Sequence, residues 1–380
     1  MKEENKKKSN VPNLRFPEFE GEWKKKKLGD IANITGGGTP NTDIEEYWNG
    51  EIHWFTPSEI KSAYVDKSVR TITELGLVKS SAKLLPAGAI LLTTRATIGE
   101  VAIAQKECCT NQGFQSLVVN DGINNIFIAN WIKQNKNELT KRAKGSTFAE
   151  ISKSEVEKIP LVIPNTDEQN KIAKFLTLLD ERIATQNKII EDLKLLKNTI
   201  RHTLFTQLEK SDTETKLIKD LLDYEQPLKY IVGNTEYQNN SVLTPVLTAN
   251  KAFILGYTSE KNNIYDKGEC IIFDDFTMDL KYVDFPFKIK SSAIKILTPK
   301  SRIILKYIYE YLCFLNLVSN DHKRHYISEV ESISIYVPLI DMQNTFSNLL
   351  SALDKKIQGE SYYLNLLLSQ KYYLLRHIFV

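Results

Sequence analysis

Residues 164–183 read PNTDEQNKIAKFLTLLDERI, and residues 338–357 read PLIDMQNTFSNLLSALDKKI. An offset of 174 makes eight of these 20 positions identical, from Pro164/Pro338 and Gln169/Gln343 to Asp180/Asp354 and Ile183/Ile357. The same offset pairs Leu193/Leu367, Lys197/Lys371 and Phe205/Phe379. Looser matches precede each copy: KLGDI (27–31) with LIKDL (217–221), LPAGAILL (85–92) with YDKGECII (265–272), and ISKSEVEKIPLVIP (151–164) with ISEVESISIYVP (327–338). The period is far above the 20–50 residues of a solenoid. It predicts two domain-sized repeats with pseudo-twofold symmetry. The plan is a tail (1–13, disordered), a globular unit (14–165), a long helix (166–210), a second unit (211–339) and a second helix (340–380).

The repeated segment is helical. It starts after a proline, carries Asp167 or Asp341 near its first turn, and spaces apolar residues by fours and threes. The seam is Ile183, Gln186, Ile190, Leu193, Lys197, Ile200 and Leu204 in one copy. In the other it is Ile357, Glu360, Leu364, Leu367, Lys371 and Leu374. Such a pattern predicts an antiparallel coiled coil. Its polar members suggest a register in which paired residue numbers sum to about 557: Lys197 against Glu360 and Gln186 against Lys371. The alternative is that the helices pack on other partners and their charges snorkel.

Between the helices the chain is rich in β-branched and aromatic residues broken by Gly, Pro and Asn. AILLTTR (89–95), GEVAIA (99–104), FQSLVV (114–119), CIIFDDF (270–276) and AIKIL (293–297) read as strands. NNIFIANWIKQNKNEL (124–139) and SRIILKYIYEYLCFLNLV (301–318) read as helices. The fold class is therefore α+β: two similar, mostly-β units, each followed by a long helix.

The loops carry side chains suited to bases and phosphates. In the first unit these are Gly37 and Thr39 of TGGGTP, Ser58 and Lys61, Arg95 beyond a strand end, Asn111 and Gln112 of TNQGF, and Lys144, Ser146 and Thr147 of KGSTF. In the second they are Asn250 and Lys251, Asp274, Asp275, Thr277, Lys281, and Lys323, Arg324 and His325 of HKRHY. The glycine run is either an anion cradle or a mobile turn. Asp274 and Asp275 either accept from cytosine amines or form a turn.

Composition narrows the class by exclusion. With 42% hydrophobic and 26% charged residues the chain is an ordinary globular protein, and its apolar runs are too short to span a membrane. The charged KEENKKKSN start is not a secretory signal. Four cysteines without CxxC spacing argue against a zinc ribbon or disulfide framework and fit the cytoplasm. A net charge of +3 neither announces nor excludes a nucleic-acid partner. GxxxxGK[ST], GxGxxG, [DN]PP[FYW] and GxSxG are all missing from the sequence, and no metal site is expected.

The order of unit, helix, unit, helix resembles the specificity subunits of type I restriction–modification systems over about residues 14–380. The resemblance rests on GEWKKKKLGDIANITGGGTP (21–40), EIHWFTPSEI (51–60), LLTTRATIG (91–99), GSTFAEISKSEVEKIPLVIPNTDEQNKIAKFL (145–176) and the degenerate VPLIDMQNTFSNLL (337–350). The second copy has Met342 where Glu168 stands. The resemblance implies that each unit is a target recognition domain reading half of a split site in double-stranded DNA. It implies that the helices set the spacer and dock two modification subunits. Two restriction subunits complete the complex. The chain itself is then non-catalytic and cofactor-free, and its partners use S-adenosylmethionine, ATP and magnesium. A fused or free DNA methyltransferase and a coiled-coil adaptor without a DNA role are the competing readings.

Overall fold

A computed structural model describes residues 10–143, 149–249, 252–300, 302–319 and 323–380. The chain forms two compact units, Met1–Thr185 with Leu364–Val380 and Gln186–Tyr363. Each unit thus owns part of both long helices, Thr166–Glu209 and Ile340–Ile378.

The first unit is built on a five-stranded sheet ordered Ala32–Gly36, Gln115–Val119, Ile90–Leu92, Val101–Ala104 and Tyr64–Val65. A three-stranded sheet joins Arg70–Ile72, Trp48–Phe55 and Cys108–Thr110. The second unit repeats the order Leu222–Glu225, Ile294–Pro299, Cys270–Asp274, Leu280–Val283, with no fifth strand among the described residues. The weak repeats hold at the level of single bonds. Leu28 N–H donates to Ile159 O and Ile218 N–H to Ile333 O, each at 3.0 Å. Gly88 and Gly268 both turn with positive φ, 87° and 92°, where a Cβ would be strained.

A short helix backs each main sheet: Asn125–Gln134 in the first unit, Leu305–Leu315 in the second. The predicted first helix is broken at Asn135, and a further short helix runs from Lys136 to Arg142. Gln169 and Gln343 tie these helices to the long ones. Each donates its amide to the carbonyl of the proline five residues earlier (3.0 and 2.8 Å), and its oxygen accepts from Asn124 N–H or Ile304 N–H, both at 3.0 Å. Phe379 lies 5.2 Å from Phe127 in one core. Its repeat mate Phe205 lies 5.6 Å from Tyr307 in the other.

Within each unit the helix segments run antiparallel. In the second unit Gln186 donates to Glu360, Lys197 meets Asp354 and Phe205 meets Phe346. In the first, Lys371 donates to Asp180. Every seam residue is buried or partly buried. The summed-number register is corrected. Lys197 Nζ pairs with Asp354 Oδ1 (2.6 Å) and Glu310 Oε1 (3.0 Å), and Lys371 pairs with Asp180. Asp180 and Asp354 lie just off the apolar seam, and Glu310 comes from the short helix, so a count confined to seam positions misses all three acids.

The tail expectation is also corrected in part. Residues 10–13 are anchored: Trp23 N–H donates to Asn10 O (2.9 Å), and Pro12 is buried. The four cysteines are unpaired thiols, and burial, with Cys109 beside it, pushes the Cys108 thiol up to about 12. No helix among the described residues is long and apolar enough to cross a membrane.

Candidate nucleic-acid interface

Three loops separated in sequence meet at one end of the first unit. They enclose an open cavity of about 300 Å³ lined by Pro57, Ser58, Arg95, Ala96, Asn111, Gln112 and Gly113. Ser58, Arg95, Asn111 and Gln112 are four of the residues expected from sequence. The strand Trp48–Phe55 delivers Ser58 through a single turn of 3₁₀ helix. Its start is fixed by Thr56, whose backbone N–H and hydroxyl both donate to Glu59 Oε2 at 2.7 Å. The strand Ile90–Leu92 delivers Arg95, and Ala96 beside it adopts a left-handed φ of 64°. That conformation is uncommon for a residue with a side chain.

Each polar side chain is held. Asn111 Oδ1 accepts from Gly113 N–H at 2.8 Å, a local turn. Gln112 Oε1 accepts from the Thr39 hydroxyl at 2.7 Å. Arg95 donates through Nε (3.1 Å) and Nη2 to Glu150 Oε2. The glycine run packs closely against the neighbouring loop. A Cβ on Gly37 would lie 2.0 Å from Asn111 O, and Gly38 N–H donates to Thr110 O at 2.8 Å. Close backbone approach is why glycine stands here: the run buttresses the Asn111–Gln112 loop. Lys61 is exposed just past Ser58, outside the cavity wall. Lys144, Ser146, Thr147, Asn250 and Lys251 lie outside the described residues.

The second unit treats its candidates differently. Asp274 is buried and accepts from Phe276 N–H and Thr277 N–H, both at 3.0 Å, so it forms the turn. Asp275 is buried, accepts from Tyr326 N–H at 2.8 Å and lies 3.6 Å from the buried Lys295 ammonium. His325 is a correction: it is buried, 2.9 Å from the Ser319 hydroxyl and 3.1 Å from Glu329, and faces neither solvent nor a phosphate. A charged pair recruited to hold a loop is no longer on offer to a base. Lys323 pairs with Glu329 at 2.8 Å. Exposed around them are Thr277, Phe276 and Arg324, whose guanidinium sits 5.9 Å from the Phe276 ring, with Lys281 half-buried nearby in sequence. No cluster of metal-ligating residues occurs among the described residues.

Residues 20–195 match the profile of the type I restriction modification DNA specificity domain. The chain is 32% identical over 279 residues to the MjaIX specificity subunit of Methanocaldococcus jannaschii, covering 70% of this chain and 64% of that one. It is 43% identical over 140 residues to the EcoR124I/EcoR124II specificity subunit of Escherichia coli, 35% of this chain and 34% of that one. Both relatives are type I restriction–modification specificity subunits, and the chain is similar to them.

The matched stretches span under two thirds of those relatives' own lengths. The fold agrees over nearly the whole chain with the S subunit from M. genitalium: TM-score 0.65 at 18% identity, covering 97% of this chain and 99% of that one. Sequence reading missed two residues that support the cavity's walls. Glu150 was hidden because its partner Arg95 is 55 residues away and their backbones meet in an isolated antiparallel bridge outside any strand. Trp54 holds the glycine run by donating Nε1–H to Gly38 O at 2.8 Å. A tryptophan preceding a turn was a legible clue, since a buried indole N–H needs an acceptor.

Proposed function

We propose that this chain is the DNA-specificity subunit of a type I restriction–modification complex. The first unit reads one half of a split site in double-stranded DNA, and the second reads the other half with a different loop chemistry. The long helices set the spacer between half-sites and dock two modification subunits. Those subunits bring S-adenosylmethionine and take the target adenine out of the stack. Two restriction subunits add ATP- and magnesium-dependent cleavage, and the complex works in the cytoplasm. The chain itself supplies recognition and no catalysis.

One observation carries the reading most directly. Four polar side chains, delivered by three separated loops, converge on one open cavity at the end of a rigid sheet. A site on a loop cluster held by strands is how a scaffold fixes base contacts while leaving them accessible. Arg, Asn and Gln are the residues whose geometry suits the edges of guanine and adenine in the major groove.

The test is methylation-aware sequencing of the host genome with and without this gene. A split adenine motif that disappears with the gene is expected. An unchanged methylation pattern, with modification subunits expressed, would sink the reading.

A further inference from the structure

Two amide side chains that line the cavity of the first unit have their oxygens already engaged. Asn111 Oδ1 is taken by Gly113 N–H, and Gln112 Oε1 by the Thr39 hydroxyl. An amide is planar, so a glutamine that turns its oxygen to Thr39 turns its amine away from it, and Gln112 is an exposed residue. Glu150 occupies the Nε and Nη2 edge of Arg95. Three amines are left without a bond among the described residues: Asn111 Nδ2, Gln112 Nε2 and Arg95 Nη1. All three can only donate.

Base edges in the major groove answer such a set unequally. Guanine offers two acceptors, N7 and O6. Adenine offers N7 beside an N6 amine, cytosine an amine, and thymine one acceptor beside a methyl group. A free glutamine serves adenine well, because its oxygen accepts from N6 while its amine donates to N7. A glutamine whose oxygen is engaged loses that option and faces the adenine amine with its own.

We infer that this cavity takes a guanine edge, and that Thr39 is the positioning residue that makes Gln112 reject adenine. The inference rests on the DNA-reading role proposed for the same cavity. It extends that role from a class of ligand to one base. Thr39 touches no DNA in this scheme; it acts by fixing one amide. Glu150 acts likewise on Arg95 by limiting which edge of the guanidinium is presented.

The experiment uses the full chain with its modification subunits and a duplex carrying the motif found by methylation-aware sequencing. Guanines of the half-site assigned to the first unit are replaced singly by 7-deazaguanine, which lacks the N7 acceptor. One position is expected to weaken wild-type binding by about tenfold, and Gln112→Ala is expected to be indifferent at that position. Thr39→Val, which keeps shape and loses the hydroxyl, is expected to narrow the guanine-over-adenine preference there by about fivefold or more. Thr39→Ser is expected to restore it. Gln112→Glu, which replaces a donor by acceptors, is expected to abolish the guanine preference even if Thr39→Val proves unstable. The second half-site should stay unchanged in every variant. A first half-site with no guanine on either strand, or an undiminished preference in both Thr39→Val and Gln112→Glu, overturns the inference. Loss of all sequence-specific binding by the wild-type complex would instead defeat the DNA-reading role on which it rests.

Discussion

Glu168 and Met342 stand at the same step of the two long helices, and each suits its surroundings. Glu168 is buried and accepts from Arg15 through Nε and Nη2, both at 2.8 Å, and from Trp23 Nε1–H at 3.2 Å. The bond to Glu168 raises the Arg15 guanidinium above its ordinary range. These partners belong to the segment that precedes the first sheet. Met342 is 44% exposed. Glu168→Met should therefore destabilise the full chain by about 2–5 kcal/mol, since it strands a buried indole N–H and a paired arginine. Met342→Glu should change stability by less than about 0.5 kcal/mol, as exposed substitutions usually do. Urea denaturation of both variants is the check, and equal losses would show that Glu168 is not an anchor. The sequence displayed this asymmetry without its reason, because Arg15 lies 153 residues from its partner. The identity of Gln169 and Gln343 was equally visible. Their role as staples between two helix starts was not, because the staple closes on backbone groups, which leave no trace in residue type.

At the scale of elements, helix periodicity was the most legible signal, and every predicted seam residue is buried at least in part. Charge pairing was the least legible. The Lys197 ammonium sits in a cluster with Glu310, Asp354, Arg201 and Lys306, and Glu310 is fully buried. Three cations against two acids make a network that no pairwise count along the seam anticipates. Burial by itself would raise the Asp354 carboxyl. The hydrogen bond and charge of Lys197, then of Lys306, outweigh it and hold the group below its ordinary range. A carboxyl lowered in the folded state contributes stability that is present above the unfolded value, near 3.8, and lost as pH falls through the folded value. Asp354→Asn should thus lower stability at neutral pH and flatten its decline on the acid side. Helicity followed across an acid titration of both proteins tests this. Parallel acid limbs would remove Asp354 as a contributor.

The linear plan of unit, helix, unit, helix and the division into compact bodies differ at the level of the whole molecule. The first body takes Leu364–Val380 as well as the first 185 residues. Replacing residues 1–150 by another such domain should change one half of the methylated motif and leave the other half alone. Changes in both halves would contradict independent recognition. The structure adds a condition that the repeat alone did not disclose. Phe379 packs against Phe127, and Leu14 N–H donates to His377 O at 2.8 Å. A swap that carries residues 364–380 along with the incoming domain should therefore be soluble and active where the simple swap is weaker, as read from expression and motif methylation together.

That ownership of the last helix turns has a temporal side. A ribosome releases residues in order, and the body that begins first is the one that finishes last. Gln186–Tyr363 is contiguous and has all its parts as soon as it emerges. The first body waits from residue 185 until Phe379 arrives. At ~5–20 residues per second that interval is roughly 10–40 s. Throughout it, Phe127 and its neighbours lack the ring that closes their core. The second body fills that interval and is complete at Tyr363, so over the last stretch before Phe379 the newborn chain is a whole second body attached to an unfinished first.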